Sequence, residues 1–347
     1  MTDRIKILVT GGAGFIGSHV VVELYEAGFE PVIVDDFSNS SDTALTGISE
    51  ILGYDVKCYR EDCKSEAALR RIFSEEKNIA GVIHFAAFKA VGESVKEPLK
   101  YYRNNVVSMI SLLHEMEKAG VKNLVFSSSC TVYGIPDALP VTEKTPVKKP
   151  FSPYGITKQI GEDILTDLVK SGNSSLKSIA LRYFNPIGAH SSGKIGELPI
   201  GLPNNLVPFI TQTAAGLRDK LTVFGNDYPT PDGFNIRDYI HVVDLAKAHV
   251  IAVKRLLAGK SEPLEIYNIG TGKGNSVLEV IKAFEKVSGQ KLNYQIGPRR
   301  DGDVPEIYAD VTKSATELGF KTETSLEDSL LSAWNWQLAL VKESVSN

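Results

Sequence analysis

Ile5-Lys-Ile-Leu-Val9 runs straight into Thr10-Gly-Gly-Ala-Gly-Phe-Ile-Gly17, and these two segments decide the architecture. The first is short, β-branched and apolar, which predicts a buried strand. The second fits GxGxxG through Gly12, Gly14 and Gly17, and equally GxxGxxG through Gly11, Gly14 and Gly17. In either register the glycines permit a tight turn and close approach of the backbone to a pyrophosphate. The helix that follows points its N-terminal amides at the phosphates. Alone, the pattern is weak. Here it follows a strand, opens an apolar helix over 15–27 that Gly28 stops, and precedes a second strand over 31–34. That context is what a dinucleotide site requires. Asp35 ends the second strand at about the 20-residue offset where a carboxylate hydrogen-bonds the adenosine ribose hydroxyls. Such a carboxylate repels a 2′-phosphate, so NAD is expected as cofactor and an NADP-dependent reductase is disfavoured.

Further βα alternation extends outward from this unit. Strands are predicted over 56–60, 81–85 and 123–126, with helices over 65–77 and about 98–119. The fold class is therefore α/β, a doubly wound parallel-sheet Rossmann domain. Functional residues are expected just after the strands, where Asp62, Ala86-Ala-Phe-Lys89 and Ser127-Ser-Ser129 stand. Ser127 and Ser128 read as turn residues. A loop carrying Pro136, Pro140, Pro146, Pro150 and Pro153 then returns the chain from Ser129 to a helix over about 154–169.

That helix opens with Ser152-Pro-Tyr154-Gly-Ile-Thr-Lys158, a phenol and an ammonium four residues apart on one face. A free phenol has pKa about 10, too high for a base at neutral pH. A cation at roughly 4–6 Å favours the phenolate. Lys158, with a second positive group such as an oxidised nicotinamide, supplies that cation, and Ser129 is placed to pass a substrate proton to Tyr154. Tyr-x-x-x-Lys also occurs by chance, so its weight comes from the glycine loop and the serine upstream. Ile156, Ile160 and Ile164 repeat on the opposite face. With Val106, Ile110 and Leu113 on the earlier helix they fit either a helix-pair interface between subunits or ordinary core packing.

A strand over 178–185 follows, and then Gly and Pro become dense over 186–208. The expected division is a Rossmann domain over 1–185 with a returning segment at about 241–270, and a smaller mixed α/β lobe over 186–240 and 271–347. Within that lobe Asn204-Asn-Leu206 opens a helix with a good N-cap residue. A short helix is expected near 311–318 and a closing one over about 326–341. Arg237 and Arg300, flanked by Asn, Tyr and Asp, suit a nucleotide diphosphate, because guanidinium groups grip phosphates bidentately.

Composition narrows the alternatives. The 347 residues are 43% hydrophobic and 23% charged, with a formal net charge of -4 and no concentrated basic run, which argues against nucleic acid. No apolar segment approaches a membrane span, and the N-terminus shows no signal-peptide layout. Cys58, Cys63 and Cys130 are an odd, sparse set that fits a reduced cytoplasmic protein with all three as small buried fillers. No CxxC or His pair at ligand spacing points to a metal.

With these pieces assembled, the sequence closely resembles the UDP-glucose (UDP-galactose) 4-epimerases of the extended short-chain dehydrogenase/reductase superfamily. The likeness covers nearly the whole chain: TGGAGFIGSH (10–19), HFAAFKAVGES (84–94), FSSSCTVYG (126–134), SPYGITK (152–158), LRYFNPIGAH (181–190), PNNL (203–206), IRDYIHVVDLA (236–246) and RRDGDV (299–304). The resemblance implies that Gly11, Gly14, Phe15, Ile16, Asp35, Asn39, Ser40, Asp62, Phe85, Lys89 and Asn104 hold NAD together with Tyr154 and Lys158. Tyr154, Lys158 and Ser129 match the family's catalytic residues. Asn185, Asn205, Leu206, Phe224, Arg237, Tyr239, Arg300 and Asp303 match positions that hold the nucleotide sugar, Phe224 against the uracil. Ile307 stands where family members limit sugar size, and its intermediate bulk leaves N-acetylated sugars open. The implied activity interconverts UDP-galactose and UDP-glucose by oxidation at C4, turning of a 4-keto sugar and hydride return, in a homodimer through the helices about 98–119 and 154–170. A 4,6-dehydratase would need an acid pair where Cys130-Thr131 stand. A non-catalytic NAD-sensing protein would have no reason to keep Ser129, Tyr154 and Lys158 together.

Overall fold

The computed structural model describes residues 4–300 and 303–346, so Met1-Thr2-Asp3 of the N-terminal reading and Asp301-Gly302 of the RRDGDV block lie outside the described residues. The strands are β1 Lys6–Thr10, β2 Glu30–Val34, β3 Cys58–Tyr59, β4 Ile79–His84, β5 Asn123–Ser129, β6 Lys177–Tyr183, β7 Asn185–Ile187, β8 Leu221–Phe224, β9 Ile236–Arg237, β10 Tyr239–His241, β11 Leu264–Ile269, β12 Asn275–Ser276, β13 Tyr294–Gly297 and β14 Glu306–Ile307. The helices are α1 Phe15–Glu26, α2 Asp42–Leu52, α3 Glu66–Glu75, α4 Val91–Lys96, α5 Pro98–Tyr101, α6 Val107–Ala119, α7 Pro153–Lys170, α8 Leu206–Ala214, α9 Val242–Leu257, α10 Val277–Ser288 and α11 Leu326–Ser346.

Seven strands form one parallel sheet in the order β11-β6-β5-β4-β1-β2-β3. The chain builds outward from β1 through β2 and β3, then crosses back to place β4 on the other side of β1. Direction therefore reverses between β1 and β4, and the carboxyl ends of those two strands open a crevice there. Along β1, Ile7 and Val9 pack into the core under α1 and α9, and Leu8 packs into the opposite core under α3 and α6. Both faces are covered, which explains why β1 reads as an unbroken apolar run. A third core, built from Val207 and Ile210 of α8, Leu221 and Val223 of β8, Phe284 of α10 and Trp334 of α11, lies apart from the sheet.

Several elements differ from the sequence expectation. The 98–119 helix is α5 and α6 joined by a π-helical turn, Tyr102–Val106. The extra residue in that turn brings Asn105 inward, where its amide bonds both backbone groups of Phe88 and Thr157 Oγ1. Leu113 is buried in the sheet core rather than available to a subunit interface, and Ile110 is half exposed. Helices α2, α4 and α10 were not expected, although Ser276 and Glu279 form a full capping box ahead of α10 and Gly289 ends it. Helix α8 begins at Leu206, but Asn205 does not cap it, because its amide is drawn to Glu197 instead. The 311–318 helix is a π-helical turn, Ser314–Leu318, and Leu318 and Phe320 pack into the sheet core. Ser127 and Ser128 are not turn residues: they belong to β5, where Ser127 Oγ meets Tyr183 Oη at 2.6 Å and Ser128 Oγ donates to Glu162.

Candidate active site

The glycine loop fits a dinucleotide on steric grounds. Gly11 has φ +70°, and a Cβ there would lie 2.9 Å from the Ala86 amide nitrogen across the crevice. A Cβ on Gly17 would meet the Gly11 carbonyl oxygen at 2.2 Å. Backbone thus lies where any side chain would fill the cradle. Gly14 caps α1 with no side-chain bond, so no side chain covers the first-turn amides. Gly17→Ala is expected to push Gly11 away from α1, destabilising the fold by about 1–3 kcal/mol and stripping the protein of dinucleotide. The nucleotide content of the purified variant measures this, and content equal to wild type would contradict it.

Asp35 is buried at the end of β2. Its Oδ2 accepts the Ala13 amide at 3.0 Å, and its Oδ1 accepts the Phe37 amide and Ser40 Oγ at 3.0 and 2.8 Å. Burial raises its pKa, and these three donors oppose the rise. Ser40 is therefore joined to Asp35, whereas Asn39 is exposed in the same loop. Asp62 and Asn104, far apart in sequence, are bridged by Lys64, whose ammonium lies 2.8 Å from each. Phe15 sits edge-on to His19 and 5.9 Å from Lys89 Nζ, Ile16 packs against the sheet core, and the Phe85 ring is tilted against His249 with centroids 4.8 Å apart.

Ser129 ends β5, and Tyr154 and Lys158 come from the first turns of α7, which Ser152 caps through the Gly155 amide. Ser129 favours the ionised form of the Tyr154 phenol and accepts from the Thr131 amide and hydroxyl at 3.2 and 3.0 Å. Lys158 Nζ lies 6.0 Å from the Tyr154 ring centroid and donates to the Ser127 carbonyl at 2.6 Å. Burial is the largest influence on Tyr154 and pushes the phenol up, Tyr183 adds to the rise, and Ser129 opposes it. The polypeptide by itself does not ionise this phenol. Burial also lowers Lys158 to about 8, against an opposing pull from Glu162.

Of the expected sugar-nucleotide residues, two pairs meet. Arg237 donates to Asp303 at 2.8 Å, and the Arg300 guanidinium lies 4.0 Å from the Phe224 ring centroid. Tyr239 is buried and pushed up to about 12 by that burial. The Asn185 backbone N–H donates to the Asp238 carbonyl. Leu206 packs on the third core, and Ile307 sits in a cluster with Cys130 and Phe184. Asp238, between Arg237 and Tyr239, accepts from the Thr271 amide and hydroxyl, the Gly272 amide and the Ala309 amide.

The sequence reading missed Glu197. Its carboxylate holds Lys89 at 3.1 Å and Asn205 at 2.6 Å, and so links the cofactor set to the sugar-nucleotide set. It also missed Glu162 and Arg182, although Glu162 follows Lys158 by one helical turn, a signal that was legible. Among the described residues, Glu66, His114 and Glu115 come within reach of a common ion, but Arg70 and Lys118 already occupy Glu115. No helix among them is long and apolar enough to cross a membrane.

A parallel doubly wound sheet, a glycine cradle with Asp35 beside it, and a Ser-Tyr-Lys set at the strand ends define an NAD-dependent enzyme of the short-chain dehydrogenase/reductase kind. The model of the NAD dependent epimerase/dehydratase family matches residues 7–270, and the chain belongs to that family. It is 51% identical over 331 residues to the UDP-glucose 4-epimerase of Bacillus subtilis (strain 168), covering 95% of this chain and 96% of that protein. It is 52% identical over 332 residues to the UDP-glucose 4-epimerase of Dictyostelium discoideum, covering 96% and 95%. The crystal structure of UDP-glucose 4-epimerase from Bifidobacterium longum in complex with NAD+ and UDP superposes with a TM-score of 0.92 at 49% identity, over 96% of this chain and 98% of that one.

Proposed function

We propose that this chain interconverts UDP-galactose and UDP-glucose by inverting the hexose at C4. What supports the reading is that Ser129 at the end of β5 and Tyr154 and Lys158 on the first turns of α7 stand at the carboxyl end of the sheet that also carries the glycine loop after β1, with Arg237 and Asp303 paired in the smaller lobe. NAD, when bound, would supply the hydride acceptor and donor for C4. Gly11, Gly14, Phe15, Ile16, Asp35, Asn39, Ser40, Asp62, Phe85, Lys89 and Asn104 would hold it. Tyr154 takes the proton of the 4-hydroxyl, and Ser129 orients that hydroxyl or relays its proton. Lys158 provides a fixed positive charge for the phenolate. Arg237, Arg300, Asn185, Asn205, Leu206, Tyr239, Asp303 and Phe224 retain the UDP end while the 4-keto hexose turns over between the two transfers. No net redox change results, so the protein keeps its dinucleotide through many turnovers.

The dehydratase reading is weaker at the residue level. Cys130, where an acid would be needed, is buried and its thiol is pushed up to about 12, and the Thr131 hydroxyl is given to Ser129. Purified protein incubated with UDP-galactose and no added cofactor should form UDP-glucose; a 4-keto-6-deoxy product, or none, rejects the proposal. Ile307 packs with Cys130 and Phe184, its intermediate bulk leaves N-acetylated sugars open, and turnover of UDP-N-acetylgalactosamine in the same assay decides.

The protein is proposed to act in the cytoplasm as a homodimer through the helices about 98–119 and 154–170. Cys58, Cys63 and Cys130 are all free thiols. Leu99, Val107 and Ile110 are exposed at 81%, 40% and 49%, an apolar stripe that a second copy would cover. Ile110→Glu should sediment as a monomer at concentrations where the wild type is a dimer. A monomeric wild type would reject the assembly.

A further inference from the structure

Glu162 is a buried acid that the proton transfer described above does not use. It lies one helical turn beyond Lys158 and two beyond Tyr154, so the three share a face of α7. Its carboxylate accepts Ser128 Oγ at 2.5 Å and Arg182 Nε and Nη2 at 2.9 and 2.6 Å. Donors from two strands, β5 and β6, therefore fix its orientation. Lys158 is pinned to the same β5 through the Ser127 carbonyl. Arg182 Nη1 has no hydrogen-bond partner, and the guanidinium lies 4.8 Å from the Tyr133 ring centroid. The carboxylate is the end of the ion pair that acts on Lys158.

We propose that Glu162, oriented by Arg182 and Ser128, is a positioning residue that keeps the Lys158 ammonium charged during turnover. The proposal rests on Tyr154 and Lys158 being the proton-transfer pair. Burial works against the ammonium, lowering Lys158 to about 8, and Glu162 opposes that fall. The other groups acting on the pair are His84 from β4, Tyr101 from α5, Cys130 from the turn after β5 and Tyr183 from β6. Burial holds His84 at about 3, so it is uncharged at working pH. Asn105, Val106, Met109 and Phe126, which line the cavity beside Lys158, carry no charge. Glu162 is the one carboxylate among these groups.

Glu162→Gln keeps the shape and removes the charge. In the holoenzyme the alkaline limb of kcat should move down by about one pH unit, the shift expected when a partly screened neighbouring charge is lost. Turnover should then be close to wild type at pH 6 and about tenfold lower at pH 9, with KM for UDP-galactose unchanged. Because Glu162→Gln leaves Arg182 without its partner, the double variant Glu162→Gln/Arg182→Met is measured beside it. It should regain Tm and retain the shifted profile. Turnover that returns with Tm, a deficit equal at every pH, or no deficit overturns the proposal. Failure of the underlying pair looks different: the wild type would not epimerise, or Tyr154→Phe would keep its turnover.

Discussion

Tyr154→Phe should lower turnover of UDP-galactose by about 10²–10⁴ while the purified protein still carries NAD. The substitution removes one oxygen from a buried ring and leaves the Gly11–Gly17 cradle and Asp35 intact, so binding and chemistry separate. The effect is large because the phenol is hard to ionise. Burial pushes it up, and one lysine, its ammonium 6.0 Å from the ring centroid, is a single charge set against that desolvation. A second positive charge is needed, and the oxidised nicotinamide is the one the proposed chemistry provides. Measured kcat against UDP-galactose, with bound NAD quantified after denaturation, decides the matter. A variant within tenfold of wild type removes Tyr154 from the role of base.

Arg182→Met should destabilise the protein by about 3–5 kcal/mol, the second large effect. Arg182 is 3% exposed and grips Glu162 through two nitrogens. Its loss leaves a carboxylate inside the fold with Ser128 Oγ as its remaining donor. An unpaired buried charge costs far more than the pair contributes, and for that reason the double variant without either charge should recover much of the loss. Urea midpoints at constant m-value test both statements. A single variant within about 1 kcal/mol of wild type would mean that water reaches Glu162.

The parts of the site that were legible are those encoded at short range. The glycine loop, the strand before it and Asp35 fall within one βαβ unit, where spacing alone fixes geometry. Tyr154 and Lys158 are one helical turn apart, so their common face follows from helix periodicity. The resemblance extended this reading to residues far apart, such as Asp62, Asn104, Arg237 and Asp303, and the structure shows how they meet, through Lys64 in one case and an ion pair in the other. Helix α10 carried a readable signal in its capping box that went unused. Ser127 and Ser128 show the limit from the other side: after a strand they read as turn residues, yet tertiary partners on β6 and α7 hold them in β5.

The chain by itself determined that a parallel sheet would carry a dinucleotide cradle and that a phenol would stand beside an amine, because each depends on backbone geometry repeating over a few residues. Only the packed molecule decided which charges survive burial. The grip of Arg182 on Glu162, the shared hold of Glu197 on Lys89 and Asn205, and the push of burial and Tyr183 on the Tyr154 phenol all arise from groups more than a turn apart meeting where water is excluded. There the cost of desolvation depends on every neighbour at once, and sequence spacing does not encode it.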